Sequence, residues 1–197
     1  MQFIPSGFQL SLEQFGVILG PTVDLAQSLI LNKTEYLSLL QMTKISKENL
    51  LYRASRDGFE AQEFHRRCDG RTRTITIIKN NLEFVFGGYA SSAWSSFSGW
   101  ITDKNAFLFS LRKNGISCSE KFMNNSPEYA LFGALEYGPT FGRGHEIYTS
   151  NQSNITNTNL RNFYPSYDVP ENCEPQEFLT GCRNAWRTTE IEVYQIN

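Results

Sequence analysis

Thr74-Ile75-Thr76-Ile77-Ile78-Lys79-Asn80-Asn81-Leu82-Glu83-Phe84-Val85-Phe86-Gly87-Gly88 is the stretch that decides the fold. On both sides of Asn80-Asn81 the side chains alternate at a period of two, the period of a half-buried strand. Asparagine tolerates positive φ, so the pair reads as a tight turn between two antiparallel strands, Thr74 to Lys79 and Leu82 to Gly88. Leu82, Phe84 and Phe86 share one face, and Gly87-Gly88 ends the second strand or opens a bulge in it.

Towards the C-terminus the same period returns. Ala106 to Leu111 places Phe107, Phe109 and Leu111 on one side, and short strands are expected at 129–133, 145–149 and 176–180. The last strand is Glu190 to Gln195, with Ile191 and Val193 pointing one way and Glu190, Glu192 and Tyr194 the other. Residues 150–172 are rich in Asn, Ser, Thr, Tyr and Pro and read as one long surface loop. Strands joined mostly by loops argue for an antiparallel sandwich over a βαβ fold. An aromatic content of 14% agrees, because flat side chains fit pleated surfaces.

Towards the N-terminus the period becomes helical. Leu25, Leu29, Tyr36, Leu37 and Leu40 suggest one or two short amphipathic helices before residue 43. Asn32 followed by Glu35 has the form of a capping box, which starts a helix at Lys33. Ser55-Arg56-Asp57-Gly58-Phe59 reads as a helix start, with the Asp57 carboxylate placed to accept first-turn amides and Glu60 and Glu63 favoured by the helix dipole. Ala61, Phe64 and Cys68 then form an apolar stripe, and Asp69-Gly70 ends the helix. Residues 1 to about 22 break at Gly20-Pro21 and read as the tail of an upstream region or a docked arm. The fold class is thus mainly β with flanking helices (α+β): two antiparallel sheets packed as a sandwich, helices at the N-terminal side.

The 197 residues fit one domain, 28–197, preceded by an extension, 1–27. A net charge of −2 offers no general attraction to phosphate backbones, which argues against nucleic acid as a partner. Cys68, Cys118, Cys173 and Cys182 lack CxxC spacing and read as free thiols in a reducing compartment. The N-terminus lacks the basic region of a signal peptide, and the uncharged run Phe84 to Thr102 is too rich in serine and glycine to span a bilayer. The sequons at Asn32, Asn124, Asn151 and Asn154 then carry little weight. The expectation is a soluble cytoplasmic monomer, peripheral to endomembranes at most.

One series of motifs is more specific. Leu50-Leu51-Tyr52-Arg53-Ala54-Ser55-Arg56-Asp57-Gly58-Phe59, followed by Phe64-His65-Arg66-Arg67-Cys68-Asp69-Gly70, closely resembles the opening of the TLDc domain. That module is shared by oxidation-resistance proteins and nuclear-receptor coactivator relatives. Further matches follow in family order: Phe86-Gly87-Gly88-Tyr89, Trp94, Asp103 to Leu111, Tyr137 to His145, and Glu190-Ile191-Glu192-Val193-Tyr194. Ser28-Leu29-Ile30-Leu31 also looks like the segment with which many relatives begin, so the resemblance covers roughly Ser28 to Tyr194. Glu48 stands where the family often has Trp, Arg143 where it has a glycine, and Glu146 where Asp is common. The resemblance implies two antiparallel sheets flanked by helices, a role in resistance to oxidative stress, and binding to the vacuolar proton ATPase that alters its assembly or activity.

The chemical candidates are few. Gly142-Arg143-Gly144-His145 has the look of a phosphate cradle, but a strand follows it, so a structural turn is the simpler reading. His65 and Cys68 could be half a zinc site, yet the one other histidine is His145. Cys68 lies on the core stripe, so a thiol-dependent antioxidant enzyme using it is the alternative rather than the main reading. Glu190 and Glu192 could do acid/base work or touch a partner, but read first as a solvated face. Arg53, Arg56, Arg66, Arg67, Arg71 and Arg73 sit among Asp57, Glu60, Glu63 and Asp69, which suits internal ion pairs or an interface. A phosphoinositide or membrane-surface site on those arginines is a further alternative. Ser91 to Trp100 has the aromatic content of an interface hot spot, or else Trp94 closes the sandwich. No nucleophile–base–orienter set is complete, so no catalytic residue, cofactor or metal is expected. The motif positions open to a partner are Arg56, Asp57, Arg143, His145, Glu146, Glu190 and Glu192.

Overall fold

A computed structural model describes residues 27–44, 48–156, 165–168, 175–182 and 186–197. The expected N-terminal arm, Leu25, Cys173 and much of the 150–172 loop lie outside the described residues. In chain order the elements are helix α1 (Lys33–Thr43), strand β1 (Glu48–Arg53), and helices α2 (Ala54–Asp57) and α3 (Ala61–Cys68). Strands β2 (Thr74–Asn80), β3 (Val85–Ala90), β4 (Gly99–Ile101), β5 (Phe107–Lys113) and β6 (Ile116–Met123) follow. A short 3-10 turn at Pro127–Tyr129 leads to β7 (Leu131–Gly133), β8 (Tyr137–Phe141) and β9 (Ile147–Ser150). The chain then runs to α4 (Pro175–Thr180) and β10 (Thr188–Ile196).

The strands form two antiparallel sheets, one ordered β1-β10-β2-β3-β5-β6 and the other β4-β7-β8-β9. Period two explains how they stack. Ile78, Phe86, Leu108, Ile191 and Val193 of the large sheet share one buried cluster with Leu131, Phe141 and Ile147 of the small one. The opposite face of the large sheet carries Ile75, Ile77, Val85, Phe107, Phe109, Leu111 and Tyr194, which pack with Ile30 and Leu39 beneath α1. The layers are therefore helix, large sheet, small sheet, with apolar side chains filling both gaps. The Phe107, Phe109 and Leu111 face expected from alternation is present.

Several local expectations are corrected. The hairpin between β2 and β3 turns through residues 81–84, and the positive φ falls on Glu83 (60°), not on the asparagines. Asn80 serves through its side chain: Oδ1 accepts the Leu82 and Phe84 amides, and Nδ2 donates to the Thr180 carbonyl. That bond reaches α4, a helix where a strand at 176–180 was expected. Leu82 is exposed, so it does not share the buried face of Phe86. Gly87 and Gly88 lie inside β3 and neither ends nor bulges it: a Cβ on Gly87 would sit 1.9 Å from the Thr76 carbonyl oxygen, and one on Gly88 would sit 2.6 Å from the Phe141 ring. The missing side chain at Gly88 lets the two sheets close, and the one at Gly87 leaves room for β2 and Phe109 within the large sheet. In the 150–172 region most described residues are exposed, as a surface loop requires, while Ser153, Ser166 and Tyr167 are buried and anchor it to the body.

The capping box at α1 is present as read, with Asn32 accepting from the Glu35 amide and Glu35 accepting from the Asn32 amide. The buried face of α1 is Glu35 and Leu39, whereas Leu29 and Leu37 are exposed. Glu35 reaches into the gap because Arg112 of β5 meets it with both fork nitrogens, Nε at 2.7 Å and a terminal nitrogen at 2.6 Å. Ser117 adds a third donor.

Candidate functional site

The C-terminal strand carries the first correction. β10 lies between β1 and β2, so Glu190 and Glu192 are not a solvated face: both are buried, Glu192 completely. Glu192 Oε1 accepts from Arg53 Nε at 2.8 Å and from the Leu29 amide, while Oε2 accepts from the hydroxyls of Ser28 and Tyr194. Glu190 Oε1 accepts the Ser55 and Ile191 amides. Four donors on one carboxylate satisfy a buried charge, as burial requires. These glutamates fasten the Ser28 segment and α2 to the sheet.

Asp57 does not cap α3. It ends α2, and its carboxylate accepts from the Arg53 amide and from the Arg56 guanidinium, with Arg67 3.0 Å away. Burial raises its titration, but the Arg56 and Arg53 bonds outweigh that and hold it below the ordinary carboxylate range. The first amide of α3, on Ala61, goes instead to Asn151 Oδ1 at 3.0 Å. The Ala61, Phe64 and Cys68 stripe is buried as expected. Arg66 and Arg67 pair with Glu63, so with Arg53 and Arg56 four arginines of this window are engaged within the chain, while Arg71 and Arg73 are exposed.

His65 and Cys68 do not converge on a metal position. The His65 ring is buried, with Nδ1 2.7 Å from Asp69 and Nε2 2.8 Å from the Ala134 carbonyl and 2.9 Å from that of Tyr137, so it ties α3 to the turn between β7 and β8. Burial pushes the Cys68 thiol up, with Asp69 adding to it, which disfavours the thiolate that redox chemistry needs.

Gly142 to Glu146 is a tight turn into β9, as read. Gly142 has φ +83°, and a Cβ there would lie 1.7 Å from Glu146 Oε2. Glu146 is fully buried; its Oε1 accepts the Ser166 amide, and burial raises its titration to about 7 against the opposing pull of nearby backbone amides. Arg143 is exposed, with its guanidinium carbon 4.6 Å above the Tyr129 ring. His145, at φ +56°, is surrounded by rings: Phe132 at 5.3 Å and Trp100, Tyr137 and Tyr148 each at 5.8 Å. Burial lowers its titration.

That ring cluster is the feature the residue-by-residue reading missed. In β7 Leu131 and Gly133 point to the core, so Phe132 points away from it, and the register pair Trp100–Phe132 puts both rings on the outer face. Tyr148 alternates with the buried Ile147 and Thr149 in the same way. Within Ser91 to Trp100 the reading that Trp94 closes the sandwich is borne out, and the other two large rings are left at the surface. Trp94 is core, its Nε1–H donating to Thr74 Oγ1 at 2.9 Å, while Phe97 is 87% and Trp100 40% exposed.

A family model described as the TLDc domain matches residues 25–197. No curated protein matches the chain. Among the described residues no helix is long and apolar enough to cross a membrane.

Proposed function

Since the TLDc match spans most of its length, the chain belongs to the TLDc domain family, and from that premise we propose that it is a non-enzymatic protein-interaction domain that binds the vacuolar proton ATPase. Binding alters the assembly or activity of the pump and serves resistance to oxidative stress. The match over residues 25–197 is the observation that carries this reading.

The side-chain chemistry supports it. Glu190, Glu192, Asp57 and His65 are committed to holding elements together, and Cys68 is withdrawn from solvent. An exposed, ring-paved sheet face has instead the composition of an interface. The domain works as a monomer on the cytoplasmic side, where the detached cytosolic sector of the pump is found.

The test mixes the purified chain with that detached sector. Comigration on a sizing column, with a change in the rate of ATP hydrolysis, is the expected result. Separate elution together with unaltered hydrolysis overturns the proposal.

A further inference from the structure

The small sheet has one face in the core and one on which Trp100 is exposed and Phe132, Tyr137, His145 and Tyr148 are half-buried. We infer that this outer face docks an arginine-bearing segment of a protein partner, whose guanidinium stacks on Trp100 and its neighbours and pairs with Glu136 at the rim. The inference rests on the protein-interaction reading above and adds to it a surface and a partner chemistry.

Three observations carry it. First, the rings are already ordered: Trp100 lies 4.8 Å from Phe132 and Tyr137 lies 4.8 Å from Tyr148, edge to face in both pairs. His145 sits in contact with both pairs and joins them into one surface. Rings locked against one another lose little freedom on binding, and large exposed aromatics such as Phe97 and Trp100 are the usual anchors of an interface.

Second, the rim carries exposed acids, Glu136 and Glu128, while its exposed cation, Arg143, already lies on a ring. Within 99–101 and 131–150 the charged side chains are Glu136, Arg143 and the buried Glu146. Arg143 already lies on the Tyr129 ring, and Glu128, beside Tyr129, is exposed. Glu136 is exposed and directly precedes Tyr137, at the turn between β7 and β8 where the ring face ends. Ring faces are electron-rich, so the face and its rim both favour a cation.

Third, the chain already makes this contact with itself, Arg143 over Tyr129. Arginine suits the face better than lysine because its planar guanidinium stacks on a ring while its edge still meets a carboxylate. An acidic segment would meet Glu136 and Glu128 with like charge. A purely apolar segment would strand both carboxylates.

The test measures anisotropy of labelled oligo-arginine, oligo-lysine and oligo-glutamate peptides with the purified chain at physiological salt. Oligo-arginine is expected to bind most tightly and oligo-glutamate not at all. Trp100→Ala should weaken oligo-arginine by about tenfold, the loss of one desolvated stacked contact. Glu136→Gln should weaken it roughly threefold, while Glu120→Gln on β6, an equal change in net charge away from this face, should leave it alone. Thermal melting checks that each variant folds, and Glu136, being exposed, provides the readout should Trp100→Ala unfold. Equal losses in the two glutamine variants, oligo-glutamate binding best, or a Trp100-dependent dimer in sedimentation would each overturn the inference. No pump is present in this assay, so its failure leaves the pump reading standing; loss of pump comigration alone leaves this face standing.

Discussion

Arg53 and Glu192 are register partners across β1 and β10, and their side chains meet at 2.8 Å. Arg53 also donates to the Gln27 carbonyl, so the pair links the start of the described chain to its end. Removing one partner of a buried pair strands the other charge without water, which is costlier than never having had the pair. Glu192→Ala is therefore expected to lower unfolding free energy by about 3–5 kcal/mol. Glu192→Gln, which keeps shape and some acceptors, should cost roughly 1–3 kcal/mol. Denaturant midpoints at constant m-value check both; a loss in the alanine variant no larger than in the glutamine variant would contradict the argument.

The Glu35–Arg112 pair makes the same kind of prediction for α1. Burial raises the titration of Glu35, but the bonds from Arg112 and Asn32 outweigh it and hold it below 4.5. A group lowered on folding stabilises above its ordinary value and loses that contribution as pH falls through its folded value. Protection factors of the Lys33–Thr43 amides, which divide out the intrinsic pH dependence of exchange, should therefore fall as acid protonates Glu35. Arg112→Met should lower them at neutral pH by roughly a hundredfold, the equivalent of a few kcal/mol of local opening.

Glu146 predicts the opposite sign. Its titration is raised on folding to about 7, so the folded state holds a proton that the unfolded chain releases near 4.5. The stabilising contribution is complete below 4.5 and is lost as pH rises through about 7. Glu146→Gln should flatten this fall, gaining of the order of 3 kcal/mol over the native chain at pH 8 and little at pH 4. Chemical denaturation at the two pH values decides it.

Gly142 and Arg143 separate architecture from surface. Gly142→Ala places a Cβ on Glu146 Oε2 at a φ of +83° and should cost about 3 kcal/mol or more. Arg143→Ala, at an exposed position, should change stability by less than about 1 kcal/mol. Thermal melts of the two variants check the contrast.

Cys68 gives a direct test of the thiol-enzyme alternative. Because it is fully buried and burial disfavours its thiolate, a thiol reagent should label Cys118 and Cys182 in the native protein and reach Cys68 only on unfolding. Peroxide decay should be the same with the wild type and with Cys68→Ser. Rapid native labelling of Cys68 would revive the enzymatic reading.

What the sequence determined by itself was local or carried by motif. The capping box of Asn32 and Glu35, the Ala61, Phe64 and Cys68 stripe, the alternation through Phe107 and Phe109, and the turn at Gly142 depend on neighbours within a few residues. The ordered motifs likewise carry the TLDc family in the sequence alone. Only the tertiary structure decided which groups are buried, because that depends on strand partners far apart in the chain. Glu190-Ile191-Glu192 has the pattern of a half-exposed edge, yet β10 lies between β1 and β2, where its acids must find donors 135 residues and more away at Ser55, Arg53 and Ser28. The short run at Pro175–Thr180 offers too few residues to tell strand from helix, and the partner of Asp57 proved to be the preceding turn. The same rule exposes Trp100, Phe132 and Tyr148: alternation says that they share a face, and only the stacking of the two sheets says that this face looks outward.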